Sequence, residues 1–426
     1  MSLQEIFDPT VNAYYKKKYG GGGSGGGEGG TEALDTLVKA LFENTPYELK
    51  SNVEGAIRGT VSLGNIVTAI DLPNVTSVGA NAFQNCKSLA RVDLPSATII
   101  GNYTFQNCTD LTSVDLPSAT SIGYYAFGGC NDLTSVNVPS VTSIGSNAFK
   151  GCTLLASIDL PSATSIDGNA FQNCKALASV DFPNVTSVGT YAFDGCEALA
   201  RVDLPSATTI LESAFEDCTS LASVNLPSAT RIRGGVFKNC TALTSVNLPY
   251  ATEIGGNAFR NCTALTSIDL PSATDAGSYT FSDCTSLTSV NLPSAARISD
   301  YAFCKTALTS VSLPSATEIG SNAFKNCTAL TSIDLPSATD IGSGAFKNCT
   351  SLTALIFRTT ETIFVASLDS FDGTPIMQGT GHLYVPASMY ETYRAAYEPE
   401  LEVLMPGFFS ILFRKIEDYP EICGAN

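Results

Sequence analysis

The chain has 426 residues, a formal net charge of −17, one histidine (His382) and no tryptophan. Apolar residues make up 44%, ordinary for a folded protein, but charged residues reach only 15% against the ~25% of an average domain. That balance argues against nucleic acid or an anionic membrane as partner. It also leaves histidine-based metal or acid–base chemistry a single candidate.

Asp8-Pro9-Thr10 has the form of a helix N-cap followed by proline at the first helical position, and Val11, Tyr14, Tyr15 and Lys18 share one face. Residues 1–19 are thus expected to be a short tethered helical segment. Residues 20–30 are glycine except for Ser24 and Glu28, the composition of a flexible linker. They lack the Lys-Ser/Thr that would make a phosphate loop. Leu34, Leu37, Val38, Leu41 and Phe42 then fall at helical spacing, so 31–63 is expected to be a helical N-terminal cap. Lys16 to Lys18 are followed by glycine where the apolar core of a secretory signal would stand. The apolar stretch Leu401–Phe413 is too short to span a bilayer and is interrupted by Pro406. No membrane insertion is expected. A leader removed ahead of residue 1 would leave the same sequence.

From residue 64 the chain repeats. A Leu-Pro step or its near equivalent recurs thirteen times from Pro73 to Pro336, every 22 residues except for one step of 21 between Pro293 and Pro314. Phe83 to Phe346 keep the same beat, as do thirteen of the fourteen cysteines, Cys86 to Cys349. In the unit Leu111–Asp132, Leu111, Val114 and Leu116 have the spacing of a short strand. Pro117 ends it, Ile122-Gly123 makes a corner, and Ala126, Phe127 and Cys130 are spaced as on one helical turn. Five large apolar side chains cannot repay the ordering of 22 residues, so a single unit does not fold alone. Stacked units do, each covering its neighbour's core. The expectation is a solenoid of about thirteen coils, 64–356, with one long parallel sheet face. At ~4.8 Å per strand step it would be roughly 60 Å long.

The unit L-T-S-V-D-L-P-S-A-T-S-I-G-x-x-A-F-x-x-C resembles the Treponema-type, or BspA-like, leucine-rich repeat of bacterial surface and phage-associated proteins. The segment Leu383-Tyr384-Val385-Pro386-Ala387-Ser388 with Tyr393 is similar to the module that closes such chains, and 357–426 is read as a C-terminal α/β cap. Ser388-Met389-Tyr390-Glu391 fits a capping box that would start a helix through about Tyr397. Leu401–Ile416 would then seal the last coil. With both ends capped, a monomer is expected. The resemblance implies a leucine-rich repeat fold and protein binding or adhesion. It brings no catalytic residues and no cofactor.

Three columns carry the chemistry. The cysteine column, three residues after a buried phenylalanine, reads as a ladder of free thiols filling small apolar slots. Stacked coils also come within disulfide reach, while no C-x-x-C pair supports zinc. The outward position between the strand's valine and leucine holds Asp71, Asp93, Asp115, Asp159, Asp181 and Asp203, with Asn137, Asn225 and Asn247 interspersed. Residues 64–351 carry 13 basic and 22 acidic side chains, and eight of the acids belong to this column. It offers a cationic partner or Ca²⁺ a row of carboxylates, or simply a set of local hydrogen bonds. Calcium loops normally cluster their acids as D-x-D, which is missing here. A third column precedes the Ala-Phe step: Tyr103, Tyr125, Tyr191, Tyr279 and Tyr301 alternate with Asn81, Asn147, Asn169, Asn257 and Asn322. Tyrosine and asparagine suit adaptable recognition.

No metal site and no catalytic constellation emerge, since a triad would have to use His382. The reading is a non-enzymatic scaffold that binds a protein or cell-surface partner. A prophage appendage protein released by lysis is the alternative, and an enzyme with a site in the C-terminal module a distant third. The first implies a surface or secreted chain, the second cytoplasmic synthesis and release on particles.

Overall fold

The structure, a computed structural model, describes residues 47–50, 55–57, 67–404 and 412–423. One repeat, Leu111–Asp132, shows how 22 residues close on themselves. Ser113–Asp115 is a strand with Val114 buried and its neighbours turned outward, flanked in the core by Leu111 and Leu116. Proline has no N–H for a ladder, so Pro117 ends the strand. The chain bends past buried Ala119 into a second, two-residue strand, Ser121–Ile122. Tight i→i−3 turns complete the coil: Gly128 N–H donates to the Tyr125 carbonyl (3.1 Å), Cys130 to Phe127 (3.2 Å) and Leu133 to Cys130 (3.2 Å).

The spacing predicts a helical turn at this point, but no α-helix forms. Residues 125 and 129 adopt left-handed φ values of 52° and 77°, which interrupts helical progression. The freed donors bond the next coil instead, Tyr125 to Ser146 (3.1 Å), Phe127 to Ala148 (2.8 Å) and Gly129 to Lys150 (2.8 Å).

Coils of this kind build two compact units, divided between Pro205 and Ser206. In the first, Tyr47–Lys50, Val67–Asp71, Arg91–Asp93, Ser113–Asp115 and Ser135–Asn137 form a five-stranded parallel sheet. The next coil has no strand at residues 157–159. Ser179–Asp181 and Arg201–Asp203 then pair. The expected sheet face is therefore interrupted. A second parallel ladder runs unbroken through the unit, from Gly55–Ile57 and Val75–Val78 to Ser187–Val188. It arises because the Ser-Ile step alternates outward and inward as the Val-Asp step does. From Val67 to the end of the first unit, register is a strict 22-residue repeat, as in Ser143↔Ser165 and Ile144↔Ile166.

The expected N-terminal helix (1–19), linker (20–30) and apolar stripe Leu34–Phe42 lie outside the described residues. Within 31–63, the described pieces are strands and not helix. Tyr47–Lys50 pairs with Val67–Asp71, and Gly55–Ile57 with Val75–Val78, each with one register irregularity. The first full coil thus meets another layer of the same ladders, which satisfies its backbone donors and acceptors.

The second unit continues the pattern through Phe364–Val365, and its first-strand face ends in a five-stranded sheet running from Ser310–Ser312 to Phe413–Lys415. Closure there is α/β, as expected. Helix α1 (Ala387–Leu404) begins one residue before the expected cap and runs past Tyr397. The Glu417 carboxylate accepts the Ala387 N–H at 3.0–3.1 Å, placing an anion at the helix N-terminus. Tyr393 is buried, stacks on Phe413, accepts the Ile363 N–H and donates to the Glu361 carbonyl. Of the stretch expected to seal the last coil, Leu412, Phe413 and Ile416 are buried.

Inside each unit the phenylalanines form a continuous stack. Centroids from Phe83 to Phe193 are 5.2–5.4 Å apart with rings within 10° of parallel. In the second unit the stack ends on Phe371, supplied by the cap, 6.1 Å from Phe346.

Candidate recognition surfaces

The cysteine column is structural. Ten thiols, among them Cys108, Cys174 and Cys349, lie 3.0–3.2 Å from the phenylalanine carbonyl of the preceding coil, to which S–H donates. Burial pushes the Cys152, Cys174, Cys196 and Cys240 thiols well up, so they stay protonated and unreactive. None of the thirteen cysteines from Cys86 to Cys349 forms a disulfide.

One of them does not belong to the ladder. In the 21-residue coil the slot three residues after Phe303 is filled by Thr306, whose hydroxyl donates to the Phe303 carbonyl (3.0 Å) and meets Cys327 Sγ at 3.2 Å. Cys304 follows the phenylalanine directly and is 6% exposed where the ladder thiols are at most 1%. The sequence beat counts it in because Cys284 and Cys327 bracket it. The missing residue has in fact been lost after Thr306, before Leu308.

The acidic column lies on the outer side of the first strands, with Asp71↔Asp93↔Asp115↔Asn137 in direct register. Asp71, Asp93, Asp115 and Asp203 are half-buried; Asp159 and Asp181 are exposed. Asparagine does more than substitute for aspartate here, because its amide donates along the ladder. Asn137 bonds Asp115 (2.7 Å), Asn247 bonds Asn225 (2.7 Å) and Asn291 bonds Asp269 (2.8 Å). Arg91 approaches Asp71 at 4.0 Å, and Arg201 pairs with Asp203. Burial, then the Asp115 and Asp71 charges, push the Asp93 carboxyl above its ordinary range, with Arg91 opposing. Around it lies a shallow groove of about 300 Å³ bordered by Arg91, Asp93, Ser113, Asp115, Ser135 and Asn137. At the far end of the second unit the same column becomes Ile356 and Tyr384, covered by Ile416 and Tyr419. The polar face stops at Asp334, which Arg358 caps at 3.1–3.2 Å.

The tyrosine/asparagine column occupies the turn beyond the second strand. Every member from Asn81 to Asn322 has positive φ, Gly235 (68°) included. Left-handed backbone explains the asparagines, which tolerate it best after glycine. It does not explain the tyrosines. Tyr103 and Tyr125 stack at 5.7 Å and Tyr279 and Tyr301 at 4.6 Å, while Tyr191 is 41% exposed. Sequence reasoning missed two partners. Tyr124 lies edge-on to Tyr103 and Tyr125, and the Arg260 guanidinium sits 5.5 Å over Tyr279. The Tyr124-Tyr125 doublet, in a column otherwise of small or polar residues, was the available signal.

His382 opens a strand, donates its N–H to the Thr353 carbonyl (2.8 Å) and lies edge-on to Tyr384. Among the described residues no group of three or more His, Cys, Asp or Glu is placed to hold a metal ion. No helix among them is long and apolar enough to cross a membrane.

A family model for the BspA type leucine rich repeat region (6 copies) matches residues 64–175, 142–266, 208–328 and 296–373. The chain belongs to the BspA-type leucine-rich repeat family. Solved leucine-rich repeat structures resemble it. A leucine rich cell surface protein from Faecalibacterium prausnitzii A2-165 is 26% identical over 74% of this chain and 90% of its own, with a TM-score of 0.41. A leucine-rich repeat protein from Bacteroides ovatus ATCC 8483 is 25% identical over 69% and 88%, TM-score 0.42. The T. pallidum leucine rich repeat protein is 31% identical over 42% and 76%, TM-score 0.32. No protein of curated function matches the chain.

Proposed function

We propose that this BspA-type chain is a non-enzymatic recognition scaffold, an adhesin-like protein that holds a protein partner against its first-strand face. The observation that carries this reading is the split between columns. Inward positions are apolar in every coil and buried in all but a few (Val136 and Val246 are half-buried), whereas the outward ones vary among Asp, Asn, Ser and Arg around the groove at Asp93. Only the outward columns can encode a partner. Their acidic excess selects one presenting Lys or Arg, with charge steering its approach. Surface display fits such a role.

A photo-crosslinking residue at Ser113 or Ser135, beside the groove, should trap one partner protein in source cells. The same residue at Ser121 or Ser143, on the second ladder, should not. Asp93→Lys with Asp115→Lys should abolish the Ser113 adduct. Equal trapping from both faces, or none from Ser113, overturns the reading. Protease treatment of intact cells tests display: a surface chain is cleaved, and recovery in sedimentable particles would point to the phage setting.

A further inference from the structure

We propose that Tyr103, Tyr124 and Tyr125 form a platform that binds a neutral sugar ring, on the turn side of the coils and separate from the strand face. Tyr103 and Tyr125 have φ of 58° and 52°, and the same column holds Asn81, Asn147 and Asn169 at 57–58°. Asparagine is therefore the residue that the backbone favours here, and tyrosine is carried at a cost. The core does not require the rings. Phe105 and Phe127 fill it completely, while Tyr103 and Tyr125 are only half-buried and Tyr124 is 38% exposed. A disfavoured residue type on two consecutive rungs, between rungs that carry the favoured one, serves something other than folding.

The arrangement fits a sugar. Tyr103 and Tyr125 are parallel within 5°, and Tyr124 crosses them at 83° and 79°, 5.2 and 4.6 Å away. Three mutually packed rings have little rotamer freedom left to lose on binding. The outer faces of the stacked pair border the shorter Asn81 and Asn147 rungs. The half-buried Asn81 amide thus adjoins one end of the stack and the largely buried Asn147 amide the other. The electron-rich face of an aromatic ring attracts the polarised C–H bonds on one side of a pyranose, and amide and phenol groups match its hydroxyls. None of these five side chains is charged, so the ligand is a neutral sugar and not an acidic one. A proline-rich peptide needs a slot between aromatic ridges, and the 5.7 Å stack leaves none. The Tyr279–Tyr301 pair is a weaker case. Arg260 covers Tyr279, and the position equivalent to Tyr124 is Asp300.

The full chain is tested on an array of neutral oligosaccharides ending in glucose, galactose, mannose, xylose or N-acetylhexosamine. Hits are titrated by tyrosine fluorescence, which no tryptophan obscures. At least one class should bind, and Tyr103→Asn, Tyr125→Asn and Tyr124→Ser should each weaken Kd about tenfold or more. Asn and Ser are native at these positions in neighbouring coils, so the melting temperature should hold within a few degrees. Tyr191→Asn and the Asp93→Lys/Asp115→Lys variant should bind sugar as the parent does, which separates this outcome from that of the strand-face reading. Retention of no neutral glycan, of acidic glycans alone, or of peptides alone overturns the proposal. So does binding that survives the triple variant.

Discussion

Asp93 faces Asp71 on one side and Asp115 on the other, so three carboxylates stand in register with only Arg91 nearby. Its raised carboxyl fixes the sign of a pH effect. The folded chain holds this proton more tightly than the unfolded one, so stability falls as pH rises from the ordinary aspartate range to the raised value, then levels off. Asp93→Asn removes that loss and adds an amide able to donate as Asn137 does. The variant should be more stable at neutral pH by a few tenths to about 1 kcal/mol. The gain should vanish below the ordinary carboxylate range, as urea melts at several pH values would read. At Asn169 (φ 57°) the backbone dominates instead. Asn169→Ala should cost roughly 1 kcal/mol and Asn169→Gly much less, by the same melts. Equal losses would assign the cost to the amide and not to the left-handed φ. The acidic column was legible in the sequence because alternation places a side chain in or out. The sign of φ was not, since an Asn/Tyr mixture reads equally well as a recognition surface.

At the scale of the coil, the 22-residue beat revealed the first strand, the proline stop and the buried phenylalanine column. Each depends on apolar spacing, which a sequence displays directly. The second strand stayed hidden because two residues are too few for a period. The turns were misread as helical because positive φ at two places per coil redirects their donors to the next rung. The short coil shows the limit of counting. One missing residue moved cysteine out of the ladder and threonine into it, an exchange that counting cysteines hides and the hydrogen bonds reveal. Alkylation of the native protein should therefore label Cys304 first among the thirteen repeat cysteines Cys86 to Cys349, the ladder thiols reacting only on unfolding. Peptide mapping after timed iodoacetamide exposure checks this. Thr306→Cys should restore the ladder without loss of stability, whereas Thr306→Ala leaves the slot short of a donor.

Within the first compact unit, each coil interacts chiefly with the coils beside it, so stability is close to a sum of coil and interface contributions. Excising a whole coil should be tolerated if the junction keeps register. Removing residues 143–164 brings Ser165 to Ser121, the pairing Ser143 makes now. It also removes the one coil without a first-face strand, so that Ser135–Asn137 would adjoin Ser179–Asp181 and the interruption in that face would close. Removing residues 99–120 keeps register equally well, but takes out the strand Ser113–Asp115 and the Tyr103 rung. The first deletion should thus lower the melting temperature less than the second, and both should retain a cooperative β-type transition by circular dichroism. Deleting only residues 143–153 should split or sharply lower that transition. Half a period sets inward columns against outward ones at the junction, so although the later coils keep register with one another, the interface that coupled them to the earlier coils is lost. If the two whole-coil deletions melted alike, the strands of the first face would contribute little, and the phenylalanine stack and second ladder would carry the unit by themselves.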